Sequence, residues 1–140
     1  MQLHHTSIKT ADIFAAIAFY ERLGFAVNER FTTGSTLACW MNGVPPDLSP
    51  DTRIELIQVP RPQPAADPFA DEHYVGYYHL SFFVDSLDET LAQLGDVKML
   101  LLPTLQSIGD RHYRVSFVAD PDGMPIELLE AVSNSTDISV

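Results

Sequence analysis

The hydrophobic and polar positions of the first 60 residues follow one simple order of elements. Residues 3–9 alternate in polarity as a strand does, and apolar residues then recur at helical spacing until Gly24. Thr10 or Asp12 can cap that helix at its N-terminus. Three further segments alternate as strands, at residues 25–31, 35–41 and 53–59. The pattern predicts the order β-α-β-β-β.

The second half of the chain repeats that order. A strand is predicted at residues 77–84, and Ser86 with Glu89 forms the capping-box signature of a helix that stops near Gly95. Strands follow near residues 98–103, 113–119 and 125–131, and Asp120 shapes the turn between the last two. The chain is therefore predicted to be an α+β protein of two βαβββ modules.

A segment rich in proline and acidic residues separates the two repeats. It lacks periodicity, which is typical of a connection between packed units. We therefore predict one domain, because 140 residues with 46% hydrophobic content can bury a single sizeable core. Its parts are module one at 1–60, a linker at 61–76, module two at 77–131 and a polar tail at 132–140.

Charge and cysteine content indicate which binding partners and which cellular compartment to expect. The chain has 8 basic and 19 acidic residues, a formal net charge of −11, and its basic residues are scattered. Such a surface repels nucleic acid and acidic membranes, so neither is expected as a partner. The single cysteine, Cys39, allows no intrachain disulfide, and no signal peptide or apolar run of about 20 residues is visible. A cytoplasmic protein is expected.

Two histidines and two glutamates recur at matching places in the two repeats. His5 and His79 each lie in the first predicted strand of their half, and Glu55 and Glu127 each lie in the last. The separation within each pair is nearly the same. A carboxylate that faces inward from an apolar strand needs a cation or a raised pKa. The duplication therefore predicts that both pairs converge on one metal ion.

Four segments carry a resemblance to a known family. They are HTSIKTADIFAAIAFYERLGF, IELIQV, YHLSFFVDSLDETLAQL and VSFVADPDGMPIELLE, and together they extend over nearly all of residues 3–131. The chain resembles the vicinal oxygen chelate superfamily, the glyoxalase/bleomycin-resistance/dioxygenase group. The resemblance implies a curved mixed sheet around a central metal-binding cavity. It also implies a homodimer, with metal ligands drawn from one chain or from both.

The ligand pattern is similar to that of short bacterial glyoxalase I. The resemblance implies one divalent ion, Ni, Co, Zn, Mn or Fe, held by four residues: His5, Glu55, His79 and Glu127. Two adjacent oxygens of a small α-hydroxycarbonyl or thiohemiacetal would chelate that ion, which stabilises an enediolate. Glu127 would move the proton, with Glu55 as a possible partner. The activity implied is that of a lyase or isomerase.

Further residues are predicted to bind the substrate because they share a sheet face with a ligand or supply an aromatic wall: Ser7, Lys9, Arg53, Trp40, Tyr77 and Phe83. Lys9 stands where the short bacterial enzymes have an arginine for glutathione. Lysine lacks the bidentate fork that suits a carboxylate. The segment after Glu55 also lacks the asparagine-bearing stretch of those enzymes. Glutathione is therefore a candidate cosubstrate, and the substrate stays open.

Two other functions fit the same sequence. One is an extradiol-type dioxygenase or an epimerase of the same superfamily. The other is a non-catalytic binding or resistance protein that holds an aromatic or peptide-like compound with Trp40, Tyr77 and Phe83. His4, His73 and His112 have no comparable context and are assigned structural or surface roles.

Overall fold

The computed structural model describes residues 1–64 and 66–133. Residues 134–140, most of the predicted tail, therefore lie outside the described part of the chain. The chain divides into two compact units, Met1–Pro64 and Ala65–Val140. Each unit contains four strands and one helix in the order β-α-β-β-β, which confirms the predicted fold class.

The first unit forms a mixed four-stranded sheet. Its elements are β1 (Thr6–Thr10), α1 (Ile13–Arg22), β2 (Phe25–Thr33), β3 (Thr36–Gly43) and β4 (Arg53–Gln58). The strand order is β1-β4-β3-β2, with β1 parallel to β4 and the other neighbours antiparallel. The first and last strands of the unit, β1 and β4, are thus hydrogen-bonded neighbours although they are distant in sequence.

The second unit repeats this topology. Its elements are β5 (Leu80–Phe83), α2 (Leu87–Leu94), β6 (Met99–Ile108), β7 (Arg111–Ala119) and β8 (Pro125–Val132). The strand order is β5-β8-β7-β6, with β5 parallel to β8 and the other neighbours antiparallel. Neither described helix has the length and apolar character of a membrane span.

Both helices begin at a capping residue and are tied to the last strand of their unit in the same way. The Asp12 carboxylate accepts hydrogen bonds from the first turn of α1, and the Ser86 hydroxyl accepts one from the Glu89 backbone N–H. The first backbone N–H of α1 donates to Gln58 Oε1 at 2.9 Å. That of α2 donates to Glu130 Oε1 at 2.7 Å. The last strand therefore positions each helix.

The core of each unit lies between the helix and one face of the sheet. Tyr20 of α1 and Leu56 of β4 are fully buried, as are Leu87 of α2 and Leu128 of β8. Because side chains alternate along a strand, Glu55 and Glu127 lie on the face away from the helix. Cys39 is buried, and this burial raises the pKa of its thiol.

Several strand boundaries differ from the sequence prediction. Strand β6 was expected to end at residue 103 but continues to Ile108. Pro103 is tolerated because β6 is an edge strand, and its pairing with β7 is irregular on both sides of Leu101. His5 and His79 each lie one residue before the first strand of their unit rather than inside it. Both histidines nevertheless keep equivalent positions.

Candidate functional site

In the first His/Glu pair, His5 lies directly before β1 and Glu55 lies in the middle of β4. The parallel register places Ser7 of β1 opposite Glu55. His5, two residues earlier, thereby reaches the same carboxylate, with Nε2 3.4 Å from Glu55 Oε1. The side chains are 26% and 15% exposed, respectively. The pair is thus half-buried and remains open to a small ligand.

The second His/Glu pair, His79 and Glu127, has the same construction. The register of β5 and β8 places Ser81 opposite Glu127, and His79 precedes Ser81 by two residues. The distance from His79 Nε2 to Glu127 Oε1 is 3.7 Å, and the side chains are 22% and 17% exposed. The sequence repeat therefore corresponds to a repeat of three-dimensional geometry within each unit.

A serine holds one oxygen of each glutamate. Ser7 Oγ donates to Glu55 Oε1 at 2.9 Å, and Ser81 Oγ donates to Glu127 Oε1 at 2.6 Å. Each hydrogen bond fixes the carboxylate oxygen, Oε1, that faces the histidine. The sequence analysis predicted that Ser7 binds the substrate, and it did not single out Ser81. The matching spacing of His5 to Ser7 and His79 to Ser81 is the signal that would have found it.

The two glutamates differ in what meets their second oxygen. Strand β3 places Trp40 opposite Glu55, and the Trp40 indole N–H donates to Glu55 Oε2 at 2.9 Å. Strand β7 places Phe117 at the corresponding position opposite Glu127. A phenyl ring has no hydrogen-bond donor. Among the described residues, the hydrogen bond to Glu127 is the one from Ser81.

The hydrogen bonds to Glu55 change its acidity. Burial alone would raise the pKa of this carboxyl group. The donors Trp40 and Ser7, together with the nearby His5, outweigh burial and hold the pKa of Glu55 below its usual value. Glu55 is therefore a fixed carboxylate near neutral pH.

The two histidine rings also have different neighbours. His5 Nδ1 lies 2.7 Å from Nδ1 of His4, and the His4 ring makes an edge contact with Trp40. His4, which the sequence assigned a structural or surface role, therefore helps to orient His5. His79 packs against the rings of Tyr78 and Phe117. Its buried Nδ1 has no hydrogen-bond partner among the residues that the structure describes.

A cavity of about 410 Å³ opens beside the second His/Glu pair. Its walls include His79 and Glu127, the rings of Tyr78 and Phe117, and residues of β6. Burial and the negative charge of Glu127 raise the pKa of the Tyr78 hydroxyl. The cavity is therefore a mainly apolar space with one carboxylate in its wall.

The other residues predicted to bind substrate lie in several places. Lys9 is exposed on β1. Arg53 donates to the His4 carbonyl oxygen and to Asn42, so it supports the segment that carries His5. Tyr77 is almost fully exposed, and Phe83 lines a separate cavity of about 280 Å³. The sequence missed Tyr78, which directly precedes His79, and Phe117, whose place opposite Glu127 depends on strand register.

Each His/Glu pair has donor atoms that suit a divalent transition-metal ion. Imidazole nitrogen and carboxylate oxygen are the usual ligands of such ions. Bonds of about 2.1 Å would place two such ligand atoms roughly 3.0–3.6 Å apart, close to the two measured separations of 3.4 and 3.7 Å. Residues 1–64 and 66–133 contain no group of three or more His, Cys, Asp or Glu arranged to hold a metal. A four-ligand centre therefore requires both pairs to act on one ion.

Comparison with known proteins agrees with this architecture. The family model described as Glyoxalase/Bleomycin resistance protein/Dioxygenase superfamily matches residues 2–128. The uncharacterized protein YaeR of Escherichia coli K12 is 30% identical over 131 residues, which cover 92% of this chain and 95% of that protein.

Solved structures share the fold. The glyoxalase family protein of Bacillus cereus has a TM-score of 0.72 and 23% identity, with 95% of each chain covered. That of Enterococcus faecalis has a TM-score of 0.69 and 23% identity, covering 92% of this chain and 97% of its own. At this identity the likeness concerns the fold.

Proposed function

Because the chain belongs to the Glyoxalase/Bleomycin resistance protein/Dioxygenase superfamily, we propose that it is a metal-dependent lyase or isomerase of the glyoxalase I type. Its substrate would be a small α-hydroxycarbonyl or thiohemiacetal that chelates the metal through adjacent oxygens. The observation that carries the proposal is the duplicated group of histidine, serine and glutamate, which has the same hydrogen bonds in both units.

Four residues would hold the metal, two from each unit: His5, Glu55, His79 and Glu127. A bound Ni, Co, Zn, Mn or Fe ion would act as a Lewis acid toward negative charge that develops on the substrate oxygens. The nitrogen and oxygen donors of each pair, and the short separation within it, support this assignment.

The difference between the two glutamates supports Glu127 as the group that moves the proton. Both oxygens of Glu55 accept hydrogen bonds, from Ser7 and Trp40, so this side chain is held in place. Glu127 is held at Oε1 by Ser81, and Phe117 leaves its Oε2 without a donor on that side. A general base needs an oxygen that can reach the substrate carbon. Glu127 meets this requirement better than Glu55.

In the proposed reaction, Glu127 Oε2 takes a proton from the hydroxyl-bearing carbon and returns it to the former carbonyl carbon. The hydroxyl proton passes between the two adjacent substrate oxygens, so that the carbonyl and alcohol groups exchange places. Ser81 keeps the carboxylate oriented through both steps. The rings of Tyr78 and Phe117 cover one side of this region and limit the access of water to the exchanging proton.

Two matched variants, Glu127→Gln and Glu55→Gln, test the proposal on metal-loaded protein. Rates are measured with methylglyoxal plus glutathione, and by exchange of the α-proton of a hydroxyketone in deuterated water. We expect Glu127→Gln to lower the rate about 10²–10⁴-fold while ligand affinity is retained, because an amide cannot accept the proton. The Glu55 variant, saturated with metal, should lose less. Equal losses in the two variants would contradict the assignment of Glu127 as the base.

A second candidate is a binding protein without catalytic activity. The aromatic walls of the cavity favour this candidate. So does the finding that residues 1–64 and 66–133 contain no group of three or more side chains that could hold a metal ion. Elemental analysis of protein purified without chelator separates the two. About one ion per site, lost in His5→Ala, supports the enzyme. No metal, and none taken up on titration, supports the binding protein.

A further inference from the structure

The cavity beside His79 and Glu127 has walls that select the chemistry of its occupant. We propose that it binds an uncharged, flat and largely apolar group of the substrate, such as an aryl ring, rather than a carboxylate-bearing thiol such as glutathione. The inference rests on the proposed function, in that the group is taken to be attached to the chelating α-hydroxycarbonyl.

The apolar walls of the cavity combine aromatic rings with an aliphatic side chain. The rings of Tyr78 and Phe117 are nearly parallel, with an interplanar angle of 17° and a centroid distance of 5.9 Å. Leu101 of β6 lies opposite Phe117 in the strand register, lines the same space and is 37% exposed. Exposed apolar side chains in a concave site gain by burial under an apolar ligand. A flat ring fits such walls.

Two of the polar side chains that line the cavity, His79 and Glu127, are the proposed metal ligands, and two others, Thr104 and Gln106, carry no charge. The chelating head of the substrate would occupy the metal, so the rest of the substrate would meet the uncharged part of the wall. A hydroxyl or carbonyl group there could form hydrogen bonds with Thr104 or Gln106, whereas a carboxylate would lose hydration without gaining a charged partner.

The arginines and the lysine of the described part of the second unit lie outside the cavity wall. Arg114 forms ion pairs with Asp88 and Glu130, on the helix side of the sheet. Arg111 lines the separate cavity near Phe83. Lys98 precedes β6 and is not part of the cavity wall. A carboxylate on the part of the substrate away from the metal would therefore meet no arginine or lysine of the described residues of this unit.

Two ligands with the same chelating head test the inference. They are α-hydroxyacetophenone and its 4-carboxylate, and their dissociation constants are measured by calorimetry on the protein as purified. We expect the uncharged ligand to bind at least about tenfold more tightly. Leu101→Arg should reverse this preference by placing a cation in the wall, because Leu101 lies opposite Phe117 in the strand register. Leu102→Arg is the matched control, because Leu102 is 70% exposed on the same strand and does not line the cavity.

Several results would overturn the inference: equal or tighter binding of the carboxylate, undetectable binding of both ligands, or equal effects of the two arginine variants. If Lys9→Ala then abolished tight carboxylate binding, Lys9 would be the residue that recognises the substrate anion.

Exchange of the α-proton is followed separately by NMR in deuterated water. Selective binding without exchange would support the inference and contradict the proposed reaction. Exchange without selectivity would contradict the inference alone.

Discussion

Trp40 and Phe117 occupy corresponding positions in the two units, opposite Glu55 and Glu127. One is a hydrogen-bond donor and the other is not, so a single aromatic difference leaves one glutamate held at both oxygens and the other at one. Under the proposed function, two ligands of the same residue type would thereby perform different tasks. Enzymes commonly separate the roles of paired carboxylates by their surroundings.

Trp40→Phe gives a test of this difference at the level of one residue. The variant removes the donor to Glu55 Oε2, so we expect the pKa of Glu55 in metal-free protein to rise toward its usual value. The carboxyl carbon signal in an NMR titration measures it. A lowered native pKa stabilises the fold above the unfolded-state pKa, and this stability is lost as pH falls through the native pKa. The free energy of unfolding of the variant should therefore depend less on pH in that acidic range.

The control for this experiment is Phe31→Leu. The Phe31 ring contacts the Trp40 ring but has no group that can donate a hydrogen bond to Glu55. Its titration of Glu55 should match that of the parent protein. An unchanged pKa in Trp40→Phe would show that Ser7 and His5 alone are sufficient to keep the carboxylate acidic.

Among the elements, the helices show how far local sequence governs the fold. Their start points follow from capping residues that the sequence displays, Asp12 and Ser86. Their attachment to the last strand, through Gln58 and Glu130, joins residues more than 40 positions apart. The local signal therefore predicts where a helix begins, while its position on the sheet depends on long-range pairing.

Ser86→Ala tests the local part of this account. Loss of the hydroxyl leaves the Glu89 N–H without its acceptor, and we expect the free energy of unfolding to fall by about 0.5–2 kcal/mol. Urea denaturation followed by circular dichroism measures it. Ser35→Ala, in the exposed turn between β2 and β3, should change stability much less. Equal values for the two variants would contradict the capping role.

At the scale of the whole molecule, the duplication supplies two pairs of ligands to one proposed centre. Each unit alone has two, and a stable transition-metal site needs three or four. We therefore expect His5→Ala and His79→Ala each to weaken metal binding strongly and to a similar extent, although the two residues belong to different units. Elemental analysis and a metal-induced rise in Tm are the readouts.

The control is His73→Ala, because the His73 side chain is 88% exposed and lies outside both pairs. Unchanged metal affinity in either His5→Ala or His79→Ala would contradict a shared centre. Size-exclusion chromatography with light scattering tests the predicted homodimer, which should have twice the 15.6 kDa mass of one chain. In such a dimer, metal binding restored by mixing the two inactive variants would indicate ligands from both chains.

The sequence by itself determined the order of the elements, the repeat and the two His/Glu pairs. These features depend on local periodicity, on capping residues and on duplication, all of which are legible along a single chain. The strand that sequence reasoning placed least well was β6. The prediction ended it near residue 103, whereas the strand continues past Pro103 to Ile108, because an edge strand does not need every backbone hydrogen bond.

The tertiary structure decided which side chains surround each pair. The partnership of Ser81 with Glu127, the Trp40 donor on Glu55 and the place of Phe117 all depend on which strands are neighbours and in what register. A shift of one residue would turn each of these side chains to the other face of its sheet. Register is set by packing over the whole unit, so no local stretch of sequence contains it.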